Sequence, residues 1–309
     1  MIVLFAPVRF LTPLEGVQPT NSKILQMDTT NSISKKIGQR YSLAHLTALP
    51  LPPHELIDLA ITIGYDHVGV RLLSPAPGIA AYPIMDEPSM LKEVMARVAE
   101  HPQMVWDVEV IRLMPGMQVN RFESALACGQ AMGARAVLVS AGPVEDPFQL
   151  AQYFSDFCEF AAKWGLTANL EFMPWTPVPD LLTAHALIKN AGTPSNARIL
   201  ADTIHVERSR TTLKDWAELP ASLIDYVQFC DAPAGVPDTL DEILRQARYE
   251  RLLPGEGGID LQGFLRHLPV GRPIAVECWH HLRTPALGFE AWARQALQAT
   301  QNLVHTFSH

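Results

Sequence analysis

From Tyr41 onward the chain alternates short apolar runs with helical patterns, and it does so eight times. The apolar runs are typical of parallel strands buried on both faces, and the patterns between them are typical of helices that cover such a sheet. Repeated strand–helix units predict a parallel sheet, and eight units are the number that closes a barrel. The predicted strands are SLAHL, DHVGVRL, MVWDVEVIRL, RAVLVSA, LTANLEF, ARILAD, DYVQFCD and PIAVEC.

Glycines at the predicted helix ends support this reading of the repeat. A glycine in the left-handed conformation often closes a helix, and one stands just before the next strand at Gly64, Gly133, Gly165 and Gly192. A doubly wound open sheet is the alternative, but no GxGxxG follows the first strand. We therefore predict an α/β fold with a single domain, a (β/α)8 TIM barrel over residues 41–309. Residues 1–40 are predicted to be a poorly ordered N-terminal extension, and Met27 is an alternative natural start.

Composition narrows the class of partner. The net charge is −8 and the basic residues are scattered, which argues against a nucleic-acid partner. No stretch reaches the roughly 18 uncharged apolar residues of a membrane span, and the apolar start lacks the basic region of a secretion signal. We expect a small-molecule substrate and a cytoplasmic protein, and leave a homo-oligomer open. Four cysteines without a CxxC pair predict buried free thiols: Cys128, Cys158, Cys230 and Cys278.

Acid and amide side chains stand at the ends of the last four predicted strands. They are Glu171, Asp202, Gln228 and Glu277, in chain order. Active sites of barrel enzymes lie at these carboxyl ends, and acids flanked by apolar residues are costly to bury unless something pairs them. A divalent cation is the simplest such partner. Three carboxylates and one amide oxygen favour Mg²⁺ or Mn²⁺ over Zn²⁺.

Other residues near the strand ends are candidates for the same pocket. Glu109 in strand three and Trp175 after strand five are assigned to substrate binding, although packing at the barrel top would also explain Trp175. His45 either faces the barrel mouth or is a hydrogen-bonded core residue. Asp231 is the rival of Gln228 for the metal, but the alternation of side chains along a strand turns Asp231 the other way.

The runs LEFMPW, LADTIH, VQFCD, RLLPGEG and AVEC, in this order, resemble the xylose isomerase-like superfamily of sugar-phosphate isomerases and epimerases. The chain is similar above all to tagatose and psicose 3-epimerases, inositol-pathway enzymes and 3-dehydroshikimate dehydratases, over residues 42–304. The resemblance implies one divalent metal ion, Mn²⁺ or Mg²⁺, with Co²⁺ or Zn²⁺ as alternatives. It implies as ligands Glu171, Asp202, Gln228 and Glu277. It also implies that His205 and Arg251 contact the substrate.

Two features depart from the epimerase pattern. Epimerases usually have His on strand seven, where this chain has Gln228, as some dehydratase-like members do. The segment from Ala232 to Glu250 is longer than in compact epimerases, and we predict that its helical part, DTLDEILRQARY, folds over the barrel mouth and places Arg251. DNA-repair endonucleases of the superfamily have many strand-end histidines and a basic face, whereas here His205 alone closely follows strands four to seven.

The resemblance implies enolate chemistry on a sugar or polyhydroxy-keto substrate. Glu171 and Glu277 would exchange a proton with the carbon next to the carbonyl, as an acid/base pair. Reprotonation makes the chain an isomerase or epimerase, which is the first expectation. Loss of a β-hydroxyl makes it a dehydratase, the alternative that Gln228 favours. A non-catalytic metal-binding barrel is a third reading, and the presence of both acids argues against it.

Overall fold

Over residues 38–76 and 78–307, which the computed structural model describes, the chain forms a closed barrel of eight parallel strands. The strands are β1 (Tyr41–Leu43), β2 (His67–Arg71), β3 (Val105–Leu113), β4 (Ala136–Ala141), β5 (Thr167–Glu171), β6 (Ala197–Asp202), β7 (Val227–Phe229) and β8 (Ile274–Val276). Neighbours in sequence are neighbours in the barrel, and β1 pairs with β8 to close it. The predicted (β/α)8 barrel is confirmed. Residues 1–37 of the predicted extension, including Met27, lie outside the described residues.

Helices follow the strands and pack around the barrel. Among the described residues, no helix is both long and apolar enough to span a bilayer. The helices are α1 (Pro53–Ile63), α2 (Pro88–Glu100), α3 (Glu123–Ala131), α4 (Pro147–Ala162), α5 (Leu181–Asn190), α6 (Thr203–Arg208), α7 (Leu213–Glu218), α8 (Leu240–Tyr249), α9 (Leu261–Leu265), α10 (Arg283–Leu287) and α11 (Phe289–Phe307).

The glycines predicted to close helices all adopt the left-handed conformation. Their φ angles are 97° at Gly64, 79° at Gly133, 70° at Gly165 and 82° at Gly192. A side chain with a Cβ is strained there, which explains why glycine ends these helices. At Gly64 the backbone N–H also donates to the Ala60 carbonyl at 2.9 Å and so completes the helix end.

The first strand is shorter than the predicted run SLAHL. It ends at Leu43, and His45 begins a 3-10 helix, His45–Ala48. The Thr47 hydroxyl donates to the carbonyl oxygen of Val276 at 2.9 Å, which ties this turn to the end of β8. The backbone therefore leaves the sheet early to reach α1, a change of direction that local hydropathy does not reveal.

The buried apolar residues form two clusters. The larger cluster lies between the barrel strands and the surrounding helices. A smaller cluster has its own eight members: Ala44, Trp106, Val110, Ala136, Leu138, Leu200, Tyr226 and Ala275. All four cysteines are buried and free, as predicted.

Candidate metal and substrate site

A cavity of about 230 Å³ lies at the carboxyl ends of the strands. Glu171 and Glu277 are among its polar residues, and its apolar walls include Leu46, Ile79 and Met173. Pockets for drug-sized ligands measure roughly 300–1,000 Å³. The smaller volume suits a metabolite about the size of one sugar or one substituted six-membered ring.

Glu171, Asp202 and His205 form a buried cluster where β5 and β6 end. Their possible ligand atoms lie within 4.8 Å of one another, the one such His, Cys, Asp and Glu group in the described parts of the chain. His205 Nε2 lies 3.5 Å from Glu171 Oε1 and 3.8 Å from Asp202 Oδ2. Asp202 ends β6 and caps α6, so residue 205 returns over it after one helical turn. The DxxH spacing thus produces the cluster.

The guanidinium of Arg251 lies between two of the predicted metal ligands. Its Nη1 donates to Asp202 Oδ2 at 2.7 Å and to Glu277 Oε2 at 2.8 Å. Its Nε donates to the Ala247 carbonyl at 2.7 Å, and its backbone N–H donates to the Trp279 carbonyl at 3.0 Å. Arg251 therefore orients Asp202 and Glu277 from the side of α8. It also lines the cavity, and its contact with a substrate stays a prediction.

Gln228 and Asp231 have different surroundings, although they are only three positions apart in sequence. Asp231 Oδ2 accepts the N–H groups of Gly255 and Gly257 at 2.9 and 3.0 Å, and its Oδ1 accepts that of Ile259 at 3.1 Å. Both carboxylate oxygens are therefore occupied in folding the GEGG loop. Gln228 Oε1 is buried and has no hydrogen-bond partner among the described residues. The amide oxygen is thus the acceptor still available for a cation.

The buried acids differ in how they ionise. Burial raises the pKa of Glu277 well above its usual value; Arg251 opposes this effect, and the neighbouring carboxylates add to it. Burial also disfavours ionisation of Asp202, but Arg251 and His205 outweigh it and hold the pKa of Asp202 below its usual value. The cluster therefore contains more negative charge than Arg251 alone balances.

These residues fit a divalent cation. Glu171 and Asp202 contribute two negative charges and Arg251 one positive charge, so the formal sum is −2 + 1 = −1 with Glu277 protonated and −2 with Glu277 ionised. A divalent ion balances that charge. The unpartnered Gln228 oxygen offers a neutral donor. A donor set of carboxylate and amide oxygens suits Mg²⁺ or Mn²⁺, and a neighbouring imidazole also admits Zn²⁺ or Co²⁺.

A buried ion pair occupies the β2–β3 side of the cavity. Arg71 Nη2 and Nε donate to Glu109 Oε2 at 2.6 and 2.9 Å, while Glu109 Oε1 is buried without a partner among the described residues.

His45 Nδ1 accepts the Arg71 backbone N–H at 2.9 Å, so His45 Nε2 donates to the Leu51 carbonyl at 3.0 Å. Burial lowers the pKa of His45 to about 4. His45 is therefore a neutral core residue, the second of the two interpretations.

Trp175 packs against the cluster of Glu171, Asp202 and His205 from one wall of the cavity. Its ring meets that of His205 edge-on with centroids 5.0 Å apart, and the Arg248 guanidinium carbon lies 5.9 Å from the indole centroid. The indole thereby covers His205 on the side of the cavity. Contact of Trp175 with a substrate stays a prediction.

The segment from Ala232 to Glu250 supplies another wall. It contains the predicted helix as α8, and Ala247 and Arg248 of this helix line the cavity. Arg208 on α6 fastens the segment to the barrel. Its guanidinium donates to three acceptors of the segment: the carbonyls of Pro233 and Gly235, and Gln246 Oε1.

The eight predicted site residues meet at this end of the barrel. Six line the cavity: Glu109, Glu171, Trp175, His205, Arg251 and Glu277. The other two, Asp202 and Gln228, are fully buried at the ends of their strands. Sequence reasoning missed two further charged lining residues, Arg112 in β3 and Arg248 in α8. Arg112 is the one basic residue of β3, which also contains Asp107 and Glu109, and this charge is the signal that could have indicated it. Arg248 is one of several charges in its helix.

Comparison with known proteins found relatives in sequence and solved structures with a similar fold. The chain is 31% identical over 155 residues to a 3-dehydroshikimate dehydratase of Pseudomonas aeruginosa. It is 28% identical over 152 residues to another of Pseudomonas putida. Each match covers 48% of this chain, but the chain spans only 24% and 23% of those longer proteins. A crystal structure of IolI protein with a zinc atom superposes with a TM-score of 0.73 at 16% identity, covering 87% of this chain and 99% of that one.

The structural likeness at this level of identity shows a shared fold. The family model described as xylose isomerase-like TIM barrel matches residues 57–303, which is most of the chain. The closed barrel agrees with that match. The chain therefore belongs to the xylose isomerase-like TIM barrel family.

Proposed function

We propose that this chain is a metal-dependent dehydratase of a cyclic polyhydroxy ketone of the 3-dehydroshikimate type. One observation carries the proposal: three carboxylates and an amide oxygen with no partner among the described residues lie at the ends of four neighbouring strands, beside a small cavity that Glu171 and Glu277 line. Two curated relatives named 3-dehydroshikimate dehydratase favour dehydration over the isomerisation that the sequence alone put first. Gln228, in place of the His usual in epimerases, supports the same choice.

A bound divalent cation would supply Lewis-acid polarisation of the substrate carbonyl, which makes a neighbouring C–H proton easier to remove. In the proposed reaction Glu171 takes that proton and the C–O bond of the β-hydroxyl breaks. Glu277, whose raised pKa favours its protonated form, gives its proton to the departing oxygen, which leaves as water. The proton taken up by Glu171 is then released to solvent, from which Glu277 is protonated again. Elimination from 3-dehydroshikimate followed by enolisation of the ring gives 3,4-dihydroxybenzoate and water.

The remaining residues orient these groups. His205, 3.5 Å from Glu171, can hold a substrate hydroxyl beside the base. Arg251 fixes the Glu277 carboxyl group through the bond of 2.8 Å. Trp175 and the apolar walls exclude water, which strengthens these polar interactions.

An isomerase or epimerase is the second candidate. Glu171 and Glu277 both line the cavity, so one could remove a proton and the other could return it to the opposite face of the carbon. The two reactions share the first step and differ in whether the β-hydroxyl leaves.

The deciding experiment offers 3-dehydroshikimate, keto-sugars and keto-inositols to the purified protein with Mn²⁺ or Mg²⁺, and follows them by NMR in D₂O and by ultraviolet absorption. We expect an aromatic product from 3-dehydroshikimate. Glu171→Gln and Glu277→Gln should each lower turnover by at least about a hundredfold, in the range typical of general acid–base groups. Solvent deuterium in recovered substrate or an epimer, without elimination, would support the isomerase. No exchange and no product with any compound would point to the non-catalytic barrel.

A further inference from the structure

Four arginines line the cavity, and they divide into two pairs. Arg71 and Arg251 are buried and bonded to carboxylates, namely Glu109 for the first and Asp202 and Glu277 for the second. Arg112 and Arg248 form no ion pair with any described residue. The first two therefore neutralise the protein's own acids, whereas the second two have charge available for a ligand.

Arg112 is the better placed of the two. It is half-buried in β3, and Nη1 donates to the Pro75 carbonyl at 3.1 Å, which fixes the guanidinium beside the cavity. A cation that is partly removed from water and lacks a carboxylate gains more from an anionic ligand than an exposed one does. Arg248 is exposed, and its guanidinium lies over the Trp175 ring.

The strand register places Arg112 opposite the proposed base. Arg112 pairs with Ser140 across β3 and β4, and Ser140 pairs with Glu171 across β4 and β5. Neighbouring strands lie about 4.8 Å apart, so the Arg112 and Glu171 backbones are roughly 10 Å apart. Both residues line the same cavity, so a ligand bound beside Glu171 is within reach of the Arg112 guanidinium.

We infer that Arg112 binds the carboxylate of the substrate and that the cavity selects an acidic polyhydroxy ketone over a neutral sugar. The inference rests on the proposed function for the orientation of the ring. With the ketone end at the acid cluster, the far end of the substrate faces the β3–β4 side of the cavity. A carboxylate there lies away from the three acids that would repel it and meets a fork of N–H donors that matches its geometry.

The test compares two ligands that differ in one group. 3,4-Dihydroxybenzoate and catechol share the two adjacent hydroxyls, and only the first has a carboxylate. Their affinities for the Mn²⁺-loaded protein are measured by titration calorimetry. The wild-type protein should bind the acid roughly ten- to a hundredfold more tightly, which is the range for a hydrogen-bonded ion pair. Arg112→Met should abolish this preference while catechol binding stays unchanged.

Two further variants separate charge from packing. Arg112→Lys should restore part of the preference, because it returns the charge without the planar fork. Arg248→Met is the matched control from the same cavity and should keep the full preference. A preference retained in Arg112→Met, or lost equally in Arg248→Met, overturns the assignment. A failure of Arg112→Lys to restore any preference overturns it too, since the loss would then come from altered packing.

Turnover of 3-dehydroshikimate by the same preparations distinguishes this inference from the proposed function. A wild-type protein that prefers the acid but does not dehydrate 3-dehydroshikimate refutes the function and leaves the carboxylate site standing. A wild-type protein that dehydrates it, with an unchanged preference in Arg112→Met, refutes only the role of Arg112. A wild-type protein that binds the two ligands equally refutes the carboxylate site.

Discussion

At the scale of the residue, the neighbours of Gln228 and Asp231 decide what each can do. Asp231 gives both oxygens to backbone N–H groups of the loop that follows. A Cβ at residue 257 would lie 2.3 Å from Asp231 Oδ1, so only glycine allows this close approach. Gln228 has a buried oxygen without a partner among the described residues, a costly arrangement unless a ligand completes it. Asp231 is therefore suited to hold the loop, and Gln228 is suited to bind a cation.

Matched variants of these two residues should separate metal binding from stability. Gln228→Ala should weaken Mn²⁺ binding by at least about tenfold, since even residues behind a metal ligand matter by 10–100-fold. Asp231→Asn should leave Mn²⁺ affinity of the folded protein unchanged but lower the free energy of unfolding by about 2–4 kcal/mol, because charged hydrogen bonds to the loop are lost. Calorimetric titration and urea unfolding measure the two effects. The opposite pattern would make Asp231 the ligand.

At the scale of the element, α8 and the loop before it belong to the site although they lie outside the repeating barrel. Arg208 is buried and contacts three acceptors of this segment, with no ion pair to a described carboxylate. Burial lowers its pKa, and nearby acids only partly oppose this. At the other end of the segment, Ala247 accepts a hydrogen bond from Arg251. The position of α8 is therefore linked to the side chains that orient Asp202 and Glu277.

Arg208→Met should loosen this segment. The buried Gln246 side chain and the carbonyls of the exposed residues Pro233 and Gly235 would lose their donor, and we expect a cost of about 1.5–3 kcal/mol in unfolding free energy. Hydrogen exchange in α8 should become faster, and kcat/KM should fall by roughly tenfold, or about 1.4 kcal/mol. Arg245→Met is the control, because Arg245 lies on α8 itself, is exposed and pairs only with acids at the two ends of that helix, Glu242 and Glu250. Equal effects of the two substitutions would show that Arg208 has no special role.

At the scale of the whole molecule, the barrel brings four consecutive strands to one point. β5, β6 and β7 end in or contain Glu171, Asp202 and Gln228, and Glu277 follows β8 directly. A cation bound by all four would connect the carboxyl ends of half the barrel. Its binding free energy would then add to the stability of the folded chain, because the unfolded chain does not hold these residues together.

Metal should therefore raise the melting temperature of the full chain. At a hundredfold excess over the dissociation constant, a ligand contributes about 2.7 kcal/mol, which corresponds to a rise of roughly 5–10 °C for a domain of this size. Differential scanning calorimetry with chelator and then with Mn²⁺, Mg²⁺, Co²⁺ or Zn²⁺ measures the rise. Gln228→Ala should reduce it at the same metal concentration. An unchanged melting temperature with all four ions would contradict a structural link through the metal.

Local signals in the sequence determined the architecture and the composition of the site. The hydrophobic periods of strands and helices can be read from consecutive residues, and the glycines that close helices stand at the ends of those patterns. Once eight units imply a barrel, the ends of its strands must meet. Acids at those ends can therefore be assigned to one site before any distance is known.

Only the tertiary structure decided which partner each charged residue has. Arg251 bonds to Asp202 and Glu277, 49 and 26 residues away in sequence, and Arg112 has no acidic partner in the described chain. The neutral form of His45 likewise depends on the backbone of residue 71. A hydrogen bond requires donor and acceptor to lie within about 3 Å. Such contacts depend on how distant segments pack, and no pattern of residues that are neighbours in sequence predicts this packing.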